Sequence, residues 1–401
     1  MYLRVIAILV ACVSLSGADH WRSAGSVRAV PATDIAAVAL ASGFALRVPG
    51  VGACELFVPM IERWVPVAAL RTPRQPGSFS LTRLADGRVL VAGGTVPDSP
   101  LDAIRACEVF DQRTLRWTST GSMRWGRRWH IAERLPNGRV LAAGGLSQQF
   151  EFDDPATPWP DDEVPFGRFW DARMPTAELY CPASGRWRDA RDMNVAHSEG
   201  ASAALDDGRV LVYGGWTDGT RTVQWAVSEV YDPATNRWTR SANPAFPDEY
   251  VMTEPLTKLA DGRVVTLNGV FDAFRQLPEA WQGASVFDPR TNSWSRFPSP
   301  ITPRLDARAT LLADGRLMIA GGVVADEDGN LIPTRAVEFW SPSTGAWTPA
   351  PILGVGRALH RQLRLSDGRV LAIAGLGAPG SSEIFGGRSV ILPPGPPLAI
   401  N

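Results

Sequence analysis

A series of basic side chains recurs at comparable points along the chain: Arg74, Arg124, Arg127, Arg128, His130, His197, Arg304, Arg308, Arg357 and His360. A guanidinium offers a rigid fork to carboxylates or sugar hydroxyls, and an imidazole exchanges a proton near neutral pH. Glu199 and Glu254 are candidates for a complementary acid or base. Seven tryptophans, Trp125, Trp129, Trp159, Trp170, Trp216, Trp225 and Trp281, lie in the irregular stretches between the repeated segments described below. Such rings supply flat apolar plates for a sugar or a peptide. Arg128, His130, Arg308, Trp170 and Trp216 are the expected ligand contacts, with a protein or a glycan as the ligand.

Other chemistries find no support in the spacing. No GxSxG, HExxH or P-loop pattern is present. Asp326-Glu327-Asp328-Gly329-Asn330 begins like a calcium loop but lacks glycine at the sixth position and glutamate at the twelfth, so it reads as a turn. The acidic stretch with Asp153, Asp154, Asp161, Asp162 and Glu163 reads as a solvated loop. Cys54, Cys107 and Cys181 have no CxxC spacing and read as buried thiols. No catalytic residue, metal ligand or cofactor is assigned.

The 401 residues are 45% apolar and 20% charged with a net charge of −1, enough to bury a large core. A balance this even does not suit a phosphate-tracking surface, so nucleic acid is not an expected partner. The N-terminus reads as an export signal over residues 1–18. Arg4 is followed by the apolar run VIAILVA, too short to span a bilayer, and Leu9-Val10-Ala11-Cys12 matches a lipobox. Cys12 is then the lipidated first residue, the one route to a membrane, and the protein is an anchored lipoprotein. Alternatively, cleavage after Ser16-Gly17-Ala18 releases an unanchored periplasmic or extracellular protein.

Positioning all of these residues is a segment written six times. LADGRVLVAGG at 84–94 returns as LPNGRVLAAGG, LDDGRVLVYGG, LADGRVVTLNG, LADGRLMIAGG and LSDGRVLAIAG. Each sets a β-rich run after Asp-Gly or Asn-Gly, which predicts a hairpin with a two-residue type I′ turn between strands a and b. A second strand pair follows, c and d, as in CEVFDQRTLRW and SEVYDPATNRW, ending on Trp117, Trp187, Trp238, Trp294 and Trp347. Counted from Trp64, these tryptophans are spaced 53, 70, 51, 56 and 53 residues apart, and four strands per period near 50 predict a propeller blade. Neighbouring sheets must cover each other's faces, with the strand-d tryptophan as the wedge between blades.

The glycine pair after strand b, the aromatic strand c and the tryptophan six to eight residues after its Phe or Tyr resemble the kelch-repeat family. The resemblance spans about residues 69–385, with Asn268-Gly269 and Ala374-Gly375 departing from Gly-Gly and no tryptophan closing the last copy. It implies an all-β propeller, similar to that of galactose oxidase. The copper site of that enzyme needs a Cys-linked Tyr and a Tyr beside a His, and none of the five tyrosines here adjoins a histidine.

GACELFVPMIERW at 52–64 is a further c–d pair, and residues 36–50 carry a degenerate hairpin, giving seven blades. Six remain possible if the N-terminal strands instead complete the last blade. The expected layout is a linker over 19–33, a propeller over 34–392 whose last outer strand follows Ile384, and a Pro-rich tail over 393–401. Short a–b turns gather on one face, and b–c loops of very unequal length on the other, where binding is expected. The function expected is a binding or interaction module, with a carbohydrate-active enzyme, such as the sialic acid mutarotase type of exported kelch propeller, as the alternative.

Overall fold

The computed structural model describes residues 20–27, 36–148, 172–217, 227–242, 256–267 and 284–386. Among them every regular element is a strand, and the strands assemble into seven four-stranded antiparallel sheets and four short two-stranded ones. Trp159, Trp170, Trp225, Trp281, Glu254, Asn268-Gly269, the 153–163 acidic stretch and Cys12 lie outside the described residues.

Blade 1 runs Ala36–Ala39, Ala45–Val48, Ala53–Val58 and Arg63–Ala69 from the inside outward. Blade 2 uses Ser80–Arg83, Val89–Ala92, Cys107–Asp111 and Arg116–Thr120, and the same order repeats through blade 6, which ends on Ala346–Pro349. Innermost strands of neighbouring blades lie side by side, and Arg361–Arg364 of blade 7 returns to Ala36–Ala39 of blade 1. The result is a seven-bladed β-propeller.

Strands such as Val89–Ala92, Val140–Ala143 and Val210–Tyr213 are buried on both faces, so the alternation of a half-exposed strand is missing and each reads as an unbroken apolar run. Large apolar clusters sit between adjacent blades. One joins Leu84, Leu90, Ala92 and Met123 to Val140, Ala142 and Tyr180 across the blade 2 to blade 3 boundary. The wedge tryptophans behave as expected. Trp117 lies 5.1 Å from Phe110, and its indole N–H donates to Ala68 O of the preceding blade at 3.2 Å.

The ring closes differently from the sequence reading. The outer strand of blade 7 is Trp21–Ser26, from the stretch expected to be a linker, and not a strand after Ile384. Trp21 pairs with Phe385 just as Trp117 pairs with Phe110, with ring centroids 5.5 Å apart. The missing last wedge is thus supplied by the other end of the chain, which keeps both the seventh blade and Ser381–Phe385.

The a–b turns also differ. Leu84 and Arg88 are the last paired residues, which leaves a three-residue loop, and positive φ falls on Gly87 alone, at 87°. This is a type I turn closed by a glycine bulge, the three-residue solution to a hairpin. Asp86 fixes it by accepting from the Arg88 backbone N–H at 3.0 Å and from Arg88 Nε at 2.8 Å. Asp-Gly fits either turn, and blade 1 closes the same three-residue turn with Ser42-Gly43 in its place.

The Gly-Gly pairs solve a contact problem between blades. Gly144 has φ 68°, and a Cβ there would stand 2.3 Å from His197 O of the next blade. The N–H of Gly145 donates to that same carbonyl at 2.7 Å. Gly93 and Gly94 repeat the arrangement on Arg127 O, and Gly321 and Gly322 on Arg357 O.

Candidate functional site

Most of the basic residues of the d–a connections and innermost strands fall into three groups by what they touch. Arg74, Arg127, Arg304 and Arg357 are buried and ion-paired with Glu108, Glu178, Glu338 and Glu383 on strand c of the blade they enter. Each carboxylate also accepts two backbone N–H groups of the connection. Glu178 takes those of Arg124 at 2.7 Å and Trp125 at 3.4 Å, while Arg127 donates to Gly144 O at 2.9 Å. The unit fastens each crossover onto the next blade. In blade 4 His197 replaces the arginine, with Nδ1 2.8 Å from Gly214 O, and burial pushes the Glu229 carboxyl above its ordinary range. These residues hold the scaffold together and do not offer themselves to a ligand.

His130 and His360 form a second group. Both are buried, and their rings pack against Gly93 and Gly321 of the preceding blades. His130 Nε2 lies 2.9 Å from Ser80 Oγ. Burial first, then the nearby Arg127 charge, lowers the His130 pKa to about 3, and His360 is lowered by burial, Arg308 and Arg357. Both histidines titrate near 6.5 in an unfolded chain, so the stability they lend is present above that pH and is lost as pH falls toward 3. Glu133 and Glu229, raised by burial, bind protons more readily in the folded state and offset part of that loss. The expected result is a chemical-denaturation stability that declines between about pH 6 and 4, with His130→Gln removing about 1.4 kcal/mol per pH unit of the slope. A slope that the substitution leaves unchanged would place the titration elsewhere.

The third group faces the channel. Arg308 Nε donates to His360 O at 3.0 Å, and Arg361 Nε to Ala37 O at 3.1 Å. Gln362 bridges His360 and Thr310, at 3.2 and 2.8 Å. Across the channel Ser202 Oγ donates to Glu133 at 2.9 Å, and the Glu133 carboxyl is raised by burial against the opposing pull of Ser202, Arg361 and Lys258. An acid with a raised pKa therefore stands among guanidinium groups on the innermost strands.

At the mouth of the channel the backbone itself is unusual. Trp129, Glu199, Asp306 and Leu359 have φ of 52°, 59°, 55° and 53°, two residues after Arg127, His197, Arg304 and Arg357 respectively. Backbone bonds link them around the ring: Trp129 N–H to Ser78 O at 3.0 Å, Glu199 N–H to Trp129 O at 2.9 Å, and Leu359 N–H to Asp306 O at 3.1 Å. Trp129 is 36% exposed, and Glu199 is exposed. These were not singled out as a set from sequence, because left-handed backbone is read from Gly and Asn. The fixed offset from the clamp residue was the available signal.

Of the expected ligand contacts, Arg128 is buried with its guanidinium 4.6 Å over the Trp129 ring, and its backbone pairs with Leu146 of a b–c loop. Burial lowers its pKa, and Glu199 opposes that. His130 is buried beneath the mouth. Arg308 is half-buried in the channel. Trp216 lies in the short strand Trp216–Thr217, paired with His197–Ser198 on this same face. The structure thus brings Arg128, His130, Arg308 and the backbone of Trp216 to the long-loop end of the propeller, with Trp129 and Glu199 nearer the solvent than Arg128 or His130. Cys54 and Cys107 are buried thiols, pushed up to about 12 mainly by burial, as expected, whereas Cys181, at the outer end of strand c in blade 3, is only half-buried.

A ring of seven four-stranded blades, with a strand-c glutamate clamped by the incoming Arg in blades 2, 3, 6 and 7 and a Gly-Gly pair after strand b in blades 2, 3, 4 and 6, defines the class of protein. The chain is a kelch-repeat β-propeller. The Kelch motif family model matches residues 199–245. Alpha-scruin of Limulus polyphemus is 28% identical over 166 residues, 40% of this chain and 17% of that protein. Kelch-like protein terF of Aspergillus terreus is 23% identical over 209 residues, 47% of this chain and 43% of that protein. The chain therefore spans less than half the length of these curated relatives. A fungal alcohol oxidase of the AA5 family, solved in complex with copper, superposes with a TM-score of 0.63 at 15% identity, covering 92% of this chain and 76% of that one. That likeness is one of fold. Among the described residues no cluster of His, Cys, Asp and Glu is placed to hold a metal ion.

Proposed function

We propose that the chain is an exported binding module that takes a protein or glycan ligand over the channel mouth on its long-loop face. The left-handed ring residues carry this reading. A non-glycine residue in that region costs about 1 to 3 kcal/mol, and such strain concentrates at functional sites. Here one backbone position is held constant while its side chain varies among an indole, two carboxylates and a leucine. A constant frame with varied chemistry is what selective recognition requires. Export rests on the Leu9-Val10-Ala11-Cys12 motif and the short apolar run before it.

The test is a glycan and peptide array with the purified chain, repeated with Glu199→Asn and Asp306→Asn together. Asn tolerates the left-handed region, so stability should hold or rise slightly while binding falls at least about tenfold, the loss of roughly 1.4 kcal/mol of contact. Unchanged binding would remove the mouth from the site. Mass spectrometry of the mature N-terminus checks export: an acylated start at Cys12 supports the anchored form, a start at Asp19 the free form, and an intact Met1 contradicts both.

One observation favours a second reading, a carbohydrate-active enzyme. Glu133, with its raised carboxyl among Arg361 and Ser202, has the character of a general acid or base in an enclosed channel. Accelerated anomer exchange of a reducing sugar, abolished by Glu133→Gln, would support it.

A further inference from the structure

The closing strand fixes where the N-terminal segment leaves the propeller. Trp21 lies opposite Phe385 and Ser26 opposite Ser381, so the strand enters at the end where strand c runs into its turn, the short-turn face, and runs toward the long-loop face. The tip nearest that entry belongs to blade 1. Its Glu62 is ion-paired to Arg22, the residue after Trp21, at 2.6 Å. The two residues before Glu62, Met60 and Ile61, are 54% and 51% exposed. In the matching tips of blades 2 to 6 the same two positions carry Arg-Thr, Ala-Ser, Ala-Thr, Arg-Thr and Ser-Thr. Two large apolar side chains thus project into solvent at the one tip beside the chain's point of entry.

We infer that Met60 and Ile61 rest in a phospholipid surface, so that the short-turn face lies on the membrane and the channel mouth of the long-loop face points away from it. The inference rests on the export reading in its lipidated form. Between an acylated Cys12 and Trp21 lie residues 13–20, which at about 3.3 to 3.6 Å each reach no more than roughly 30 Å. A tether of that length, attached at the short-turn face, holds the blade 1 tip within reach of the headgroups. The acyl chains on Cys12 hold the protein at the membrane, and an apolar contact at the blade 1 tip fixes how the propeller sits on it. The other tips are polar, and the Asp86 and Arg88 pair of the a–b turn is self-neutralised at 2.7 Å, so the rest of this face can lie against headgroups without insertion.

The experiment uses the full lipidated chain in vesicles of phosphatidylethanolamine and phosphatidylglycerol, with a photoactivated benzophenone side chain placed in turn at Met60, at Ala183 on another short tip, and at Leu376, 41% exposed on the long-loop face. Adducts are read by mass spectrometry. Lipid adducts at position 60 roughly tenfold above those at 376, with 183 between them, are expected for a surface-seated tip. Equal yields at 60 and 376, or adducts at 60 to protein instead of lipid, overturn the inference while leaving the anchor in place. A mature chain without acyl groups overturns the export reading in its anchored form and the inference with it.

Discussion

Deleting residues 20–27 should leave a chain that is insoluble or lacks a cooperative unfolding transition. The deletion removes the outer strand of blade 7, bares the edge of Ser381–Phe385, and takes Ala24 and Val27 out of the cluster that joins blade 7 to blade 1 through Phe57, Leu371 and Ile384. A ring is only as closed as its last interface, and an uncovered apolar edge strand pairs with other chains. The stitch across that interface goes too. Glu62 of blade 1 holds both Arg22, at 2.6 Å, and Arg369 of blade 7, at 2.7 Å, and Ser382 Oγ donates to Gly25 O at 2.8 Å. Trp21→Ala is the milder form. It should cost about 3 to 5 kcal/mol in urea denaturation, as Trp117→Ala should, because both rings fill the same place in their blades. A soluble deletion that unfolds in one sharp step would show that six blades and an incomplete seventh already suffice.

That strand also marks where reading the sequence stops. The repeats were legible because their signals are local: a turn pair, an apolar run and a tryptophan at fixed spacing. WRSAGS carries no such pattern, and its partner lies more than 350 residues along the chain, as in the bond from Arg22 to Gly386 O. The arginines were visible as a recurring set, but their division into clamp and channel was not. Arg127 and Arg128 are adjacent and both buried, yet only the first is ion-paired to a strand-c glutamate, 51 residues away. The mouth was hidden for a different reason. Local preference argues against left-handed Trp129 or Leu359, and the neighbouring blades impose that geometry through Ser78 O and Asp306 O. Propensity and tertiary demand disagree there, which is the pattern expected of functional positions.

The clamp yields the second large effect and a comparison within one molecule. Glu178→Ala should destabilise by about 3 to 5 kcal/mol, because it strands the fully buried Arg127 guanidinium without a counter-charge. It also deprives the Arg124 and Trp125 N–H groups of their acceptor. Glu178→Gln keeps an acceptor for those amides but still removes the charge, so most of the cost should persist. Blade 4 provides the contrast. Glu229 faces His197 where blades 2, 3, 6 and 7 place arginine, at 3.9 Å, and burial raises its carboxyl above the ordinary range. No buried arginine depends on the carboxylate in this clamp, so Glu229→Gln should cost about 1 kcal/mol or less, the scale of one altered hydrogen bond. Denaturation midpoints of the two glutamine variants decide the matter. Equal losses would mean that the strand-c carboxylates act through their hydrogen bonds to the crossover and that the buried arginine charge is incidental. A large loss at 178 with a small one at 229 would mean that the charge pair itself fastens each crossover, and that the His197 blade is where the ring is most readily loosened.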